Sequence, residues 1–374
     1  MPKYRILLLG GYGQFGARIA AALAGDSDLA LLIAGRHAAP ARQLCTRLGE
    51  TARAEISHCV LDLESDAFEQ RIAEHAPHLV IHCAGPFQGR DYRVARAALA
   101  AGAHYVDLAD ARDFVSAIGT LDEEARRAGR WAIAGASSVP GLSGAVITAL
   151  QERFACLRSI QSAISPGNRS ERGLATTRAI LGYVGRPYLQ LHNGRWRNVH
   201  GWQSLRRVYT PAIGARWLAR CEVPDLSVLP ARWPQLATCD FRAGLELRRM
   251  HFGLWLASWA VRCGLLRNLP RRASALLALS NRWLGAGSDV GLMQIDMRGR
   301  GLDDKPLHLR WRLLAANGDG PQVPATAAVV LARKLARGEL PGSGARACLD
   351  LFTLDEFLAA LDGFAVTTTL ETLA

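Results

Sequence analysis

Six residues near the start constrain this chain most. Gly11-Tyr12-Gly13-Gln14-Phe15-Gly16 is a G-x-G-x-x-G turn. It follows the apolar run Arg5–Leu9 and opens the helical pattern Ala17–Ala24. A strand, such a turn and a helix form the phosphate-binding start of a dinucleotide fold. Gly11 permits the tight turn, Gly13 lets the backbone approach a pyrophosphate, and Gly16 lets the helix close on the strand. Phosphates then lie on the helix N-terminus, where amides and the helix dipole stabilise anions. Without its context the motif is only a glycine-rich strand–helix turn.

The rest of the first third repeats this alternation. Apolar runs at Tyr4–Leu9, Leu29–Ala34, Ile56–Leu61, His78–Cys83, His104–Leu108 and Trp131–Ala136 predict six strands. Helical patterns near 14–24, 40–49, 65–75, 90–101 and 112–129 separate them. Strands alternating with helices give βαβ units and a parallel sheet covered on both faces. The expected class is therefore α/β: a doubly wound parallel Rossmann sheet, with a second α+β domain built on a mixed sheet. The second domain is read from strand-like runs at Ser159–Ile164, Phe241–Leu247, Gly291–Arg298 and Leu307–Leu314, with few helices, and from a hairpin turning at Asn193-Gly194. With 374 residues, two domains fit ~100–200 residues each. The expected division is 1–140 for the nucleotide domain, 141–320 for a substrate or interface domain, and 321–374 for C-terminal helices (Pro324–Arg337 and Thr353–Leu361) returning to the first.

Ligands of open α/β sheets bind beyond the carboxyl ends of the strands, so the residues there are the candidates. The second strand ends Ala34-Gly35-Arg36-His37. An NAD-binding chain usually has Asp or Glu here; this one has an arginine, whose guanidinium can hold a 2′-phosphate through paired hydrogen bonds. That favours NADP (as NADPH) over NAD, with Arg36 and His37 beside the ribose; the alternative for Arg36 is a merely solvated arginine. Asp62-Leu63 follows the third strand, where Asp62 accepts from an adenine amino group or caps a helix beside Ser65. Cys83-Ala84-Gly85-Pro86-Phe87 follows the fourth. Ala84, Gly85, Pro86 and Phe87 are placed beside the ribose and nicotinamide, while Cys83 reads as a buried small side chain.

No catalytic set stands out. Hydride transfer asks the protein mainly for orientation and a proton relay. The candidates at strand ends are His82, Tyr105, Asp107, Asp110 and Ser137. Capping of the helix near 111–117, or pairing with Arg112, competes with catalysis for the two aspartates and weighs more. His82 fits equally a place inside the sheet. Only Lys3, Lys305 and Lys334 are lysines, and none completes a Y-x-x-x-K relay.

Taken in order, Gly10–Gly16, Ala34-Gly35-Arg36, His82–Phe87, Gly102–Leu108 and Pro140-Gly141 resemble the NADP-binding domain of the saccharopine dehydrogenase-like oxidoreductases. The resemblance covers about 1–145 and, more faintly, 321–361. It implies a Rossmann domain, NADP and hydride transfer. Saccharopine reductases usually carry an acidic residue before the Pro-Gly turn and a tyrosine after the proline of the fourth strand. Here Val139 and Phe87 stand in those places, which argues against saccharopine as the substrate. Other relatives include enoyl reductases of lipid intermediates.

Composition adds one asymmetry. The net charge of +12 resides in the middle: residues 151–320 carry 26 basic and 11 acidic side chains, while 1–150 are close to neutral. Eight of nine tryptophans lie in that middle segment. The arginine bias itself reads as a GC-rich, bacterial genome. A basic, Trp-rich second domain suits a small or lipidic, anionic substrate. Within it, His251–Leu266 (HFGLWLASWAVRCGLL) is shorter than the ~20 residues of a spanning helix. Flanked by Arg248-Arg249 and Arg271-Arg272, the segment 248–272 can lie in a membrane interface. The alternative, favoured by aromatic residues at helical spacing, is a buried helix or a dimer interface, and a homodimer is expected. No nucleic-acid motif is present, and no C-x-x-C pair suggests a metal. Eight irregularly spaced cysteines and no signal peptide point to reduced thiols in a cytoplasm, with membrane association as a variant. The competing function class is a non-enzymatic NADP-binding or membrane-peripheral scaffold protein.

Overall fold

The computed structural model describes residues 3–373 and divides into two compact units, Met1–Leu142 with Gln322–Ala360, and Ser143–Pro321 with Leu361–Ala374.

The first unit is built on a parallel sheet. Its strands are β1 (Tyr4–Leu9), β2 (Leu29–Gly35), β3 (Glu55–Val60), β4 (Leu79–His82), β5 (His104–Asp107) and β6 (Trp131–Ala134). They lie in the order 3-2-1-4-5-6. This is the doubly wound nucleotide-binding order, which reverses direction between β1 and β4. Central strands are apolar along most of their length because both faces are covered: Ile6, Leu8, Leu79, Val80 and Ile81 have no exposed surface. After β1 the chain enters α1 (Gly16–Leu23), whose Ile19, Ala20 and Leu23 are fully buried. The expected helix over 112–129 is broken in three, with a 3₁₀ turn at Ile118–Leu121. There the Thr120 hydroxyl donates to the carbonyl of Ala117 at 2.8 Å, a local bond that competes with the helix ladder.

The return segment adds a seventh strand, Gly344–Ala347, parallel to β6. The preceding helix Val323–Ala336 buries ten residues and carries proline in its first turn. Its Arg333 donates to Asp26 at 2.9 Å and to the carbonyl of Ala22 at 2.9 Å, clamping the end of α1. The expected return of 321–374 to the nucleotide unit applies only to Gln322–Ala360. The last strand, Val366–Leu373, pairs with Pro306–Ala315 in the second unit instead. Its sequence, VTTTLETL, is polar because most of it is exposed at a sheet edge.

The second unit holds a mixed seven-stranded sheet. Its order is Arg206–Thr210, Gly214–Arg220, Thr238–Ala243, Phe154–Ser165, Gly291–Gly301, Pro306–Ala315, Val366–Leu373. Only Thr238–Ala243 and Phe154–Ser165 run parallel. Alternation along the strands sorts the two faces. Met293, Ile295, Met297, Leu309, Trp311 and Leu313 are buried on one. Gln161, Asp240, Gln294, Asp296, Arg310 and Arg312 stand opposite one another on the other. The hairpin at Asn193 (φ 50°) and Gly194 (φ 74°) forms with both residues left-handed, as its twist requires. The expectation of few helices fails: Leu174–Tyr183, Asp225–Arg232, Arg248–Arg262 and Ala273–Asn281 are all helical.

Candidate functional site at the carboxyl ends of the parallel strands

The turn after β1 is shaped by crowding. A Cβ on Gly16 would lie 2.4 Å from the Gly10 carbonyl oxygen and 2.7 Å from the Gly11 Cα. One on Gly11 would meet the Leu8 carbonyl at 2.8 Å. The left-handed residue is Gly10 (φ +73°), one place before the motif's first glycine, so the tight turn depends on Gly10 and not on the backbone angle of Gly11. Gly10 also sits against Ala84, whose backbone nitrogen would be 3.0 Å from an added Cβ. This contact joins the ends of β1 and β4 at the switch point. Gly13 differs: it is exposed, and an added Cβ would touch only the Gly10 oxygen, at 3.1 Å. It leaves a bare stretch of backbone at the head of α1, the cradle a pyrophosphate needs. Phe15 caps that helix with its backbone, and the Gln14 carbonyl accepts from Arg18.

Tyr12 bridges this turn to β2. A Cβ on Gly35 would lie 2.3 Å from the Tyr12 ring, and the Tyr12 hydroxyl accepts the amide of His37 at 3.1 Å. The ring therefore packs against the end of β2. Beside it Arg36 is exposed, and its side chain makes no hydrogen bond or ion pair among the described residues. Asp62, also exposed, accepts the amide of Glu64 at 3.1 Å in a local turn and caps no helix, since the next helix begins at Phe68 with no side-chain cap. The Leu63 carbonyl takes a hydrogen bond from Arg93 at 3.2 Å, which fixes this loop.

After β4, Ala84, Gly85 and Pro86 are half-buried, and Gly85–Pro86 is a cis peptide. Phe87 is buried, its ring 4.8 Å from His82 and 5.4 Å from Phe114. It anchors the loop from within. Burial pushes the Cys83 thiol up to about 12, in keeping with a structural rather than nucleophilic role.

The candidate proton donors differ in burial and bonding. His82 is buried, its Nδ1 3.1 Å from the Tyr105 hydroxyl, and desolvation lowers its pKa to about 4, so the ring is neutral. Its Nε2 has no partner. Tyr105 is wholly buried, and burial with the nearby Asp107 charge raises its pKa well above 10. Asp107 has no exposed surface. One oxygen accepts the amides of Ala109 at 2.9 Å and Gly135 at 2.8 Å, which stitches the ends of β5 and β6 together. Asp107 makes this inter-strand bridge, and no side chain caps the helix near 111–117. Burial raises the Asp107 pKa to about 6. Asp110 accepts from Gln88 at 3.1 Å and is also raised by burial. Ser137 is half-buried on the turn after β6, its amide bonded to the Gly135 carbonyl at 2.8 Å. Sequence reasoning missed Gly10, the Tyr12–Gly35 contact and the Asp107–Gly135 bridge. Only the first had a local signal, the doubled Gly10-Gly11. Among the described residues no group of three or more His, Cys, Asp or Glu is placed to hold a metal ion.

The exposed Gly13 backbone and the β1–β4 switch point together fit a dinucleotide, with Arg36 exposed at the end of β2. Residues 6–133 match the model of the saccharopine dehydrogenase NADP binding domain. Among solved structures, the chain is similar to the apo, histidine-tagged saccharopine dehydrogenase (L-Glu forming) of Saccharomyces cerevisiae. Identity is 15% and the TM-score 0.71, over 99% of this chain and 100% of that one. It is also similar to the amine dehydrogenase of Mycobacterium smegmatis, at 12% identity and a TM-score of 0.48, over 94% and 95% of the two chains. No curated protein matches the sequence.

Proposed function

We propose that this chain, whose first unit is a saccharopine dehydrogenase-type NADP-binding domain, is an NADP-dependent oxidoreductase acting on an anionic substrate. The observation that carries the reading is Arg36. It stands exposed and unpaired at the end of β2, in a place where an acid would repel a 2′-phosphate. The backbone from Gly11 to Gly16 would hold the pyrophosphate, Tyr12 would wall the ribose, and Gly85 and Pro86 would border the nicotinamide end. The bound cofactor supplies or accepts the hydride. Asp107 acts as a positioning residue, holding the ends of β5 and β6 in register.

The anionic class is supported by the second unit. A pocket of about 250 Å³ on the polar face of its sheet is lined by Arg206, Arg207, Arg242, Arg298, Arg310 and Arg312. Asp296, Asp240 and Glu371 answer only part of this charge. Arg298 is exposed and carries no ion pair among the described residues. Such a surface raises the local concentration of anions and repels cations.

A second reading, a non-enzymatic NADP-binding protein, is favoured by one observation. His82 and Asp107 are buried, and Asp110 is engaged by Gln88, so these three present no free acid or base. Turnover separates the two. Oxidation of NADPH with a panel of carboxylated or phosphorylated carbonyl, imine and enoyl compounds is expected, and faster than with uncharged analogues. NADPH binding without turnover on any of them would favour the second reading.

A further inference from the structure

We infer that the second unit carries a docking face for anionic lipid surfaces, formed by the segment 248–284. Its first part is the helix Arg248–Arg262. The inward side of this helix is accounted for. His251 and Ser258 are fully buried, and Leu254, Trp255 and Val261 pack on a core around Trp202 and Leu181. The outward side of a surface helix is normally polar. Here, between Arg249 and Arg262, it bears Gly253, Leu256 and Trp259, with Leu256 61% and Trp259 42% exposed. The turn beyond adds Leu265, 83% exposed, and the helix Ala273–Asn281 adds Leu279 at 42%. These residues cluster in one stretch of sequence, and apolar exposure of this kind marks an interaction surface.

Charge selects the partner. From Leu247 to Ser288 there is no Asp or Glu, and there are seven arginines. They sit at the ends of the apolar elements: Arg248 and Arg262 bound the first helix, while Arg271, Arg272 and Arg282 bound the second. Arg262 lies over the Trp259 ring at 5.1 Å and Arg249 over Trp283 at 4.4 Å. Apolar side chains between arginine and tryptophan borders match the layering of a bilayer interface, with acyl chains within and anionic headgroups around. A second copy of this chain is a poorer occupant, because a two-fold contact would set these arginines against their own kind. Among the described residues no helix is long and apolar enough to cross a membrane, so the contact is interfacial.

The test is flotation of the full chain with phosphatidylcholine vesicles, with and without phosphatidylglycerol, at low and high salt. Co-flotation with the phosphatidylglycerol vesicles alone, weakened by salt, is expected. Leu256→Glu and Leu265→Glu should each cut the bound fraction about tenfold at an unchanged melting temperature. Leu265 is 83% exposed, so Leu265→Glu decides if Leu256→Glu misfolds. Three results overturn the inference: no flotation on anionic vesicles; flotation that falls with Arg271→Gln/Arg272→Gln but not with either leucine variant, which is polyanion binding alone; or a dimer that Leu265→Glu converts to a monomer, which gives the face to a second copy.

Discussion

One carboxylate oxygen of Asp107 takes the amide of Gly135 at 2.8 Å, so a fully buried acid holds the end of β5 to the turn after β6. The same oxygen accepts from Ala109. Asp107→Ala leaves two buried amides unpaired, at about 1–3 kcal/mol each, and should lower the melting temperature clearly. Asp107→Asn keeps an acceptor and should cost much less. Equal losses in the two variants would contradict the bridging role.

The same residue predicts a pH dependence. Burial raises its pKa from 3.8 to about 6. The folded chain then binds a proton more tightly than the unfolded one, so this group's contribution is full below about 4 and is lost as pH rises through about 6. The wild type should lose stability relative to Asp107→Asn over that interval. Melting temperatures of both proteins from pH 4 to 8 give the comparison, and parallel curves would refute it.

Asp225 makes the effect larger in the second unit. It is 1% exposed, neither oxygen has a hydrogen-bond partner, and burial lifts its pKa to about 7. The nearby Ser143 hydroxyl favours the charged form and offsets burial only in part. Above pH 7 the folded state holds a buried, poorly compensated charge. Asp225→Asn should therefore raise the melting temperature at pH 8 and leave it nearly unchanged at pH 4. A drop at pH 8 would show that the carboxylate has a partner in solution.

The two crowded glycines of the turn should differ from the open one. Gly16→Ala forces a Cβ to 2.4 Å from the Gly10 oxygen and should impair both folding and NADPH binding. Gly13→Ala, with its nearest atom at 3.1 Å, should fold normally and weaken NADPH binding by obstructing the cradle. Calorimetry and thermal melting on both variants distinguish the two kinds of loss.

The first unit was legible because its central strands are buried on both faces, so Ile6–Leu9 and Leu79–Ile81 appear as apolar runs between helices. The same reasoning fails at sheet edges. Gly344–Ala347 (GARA) and Val366–Leu373 carry no apolar run, and only their partners, Trp131–Ala134 and Pro306–Ala315, make them strands. Arg36 could be named from its place after β2, since strand ends are local. The Asp107–Gly135 bridge and the His82–Tyr105 pair could not, because each joins neighbouring strands 23 or more residues apart in sequence. The basic middle segment resolves into two surfaces, the arginine-lined pocket and the apolar face around Leu256. Net charge alone does not separate them.

Selection of NADPH by Arg36 is the central property proposed for this chain. Calorimetric titration of the purified chain with NADPH and with NADH, for the wild type and Arg36→Ala, tests it. NADPH should bind the wild type at least about tenfold more tightly, as expected of a charge-assisted phosphate contact, and Arg36→Ala should erase that preference while leaving NADH affinity nearly unchanged. Absence of NADPH binding, or a preference that survives Arg36→Ala, would contradict it.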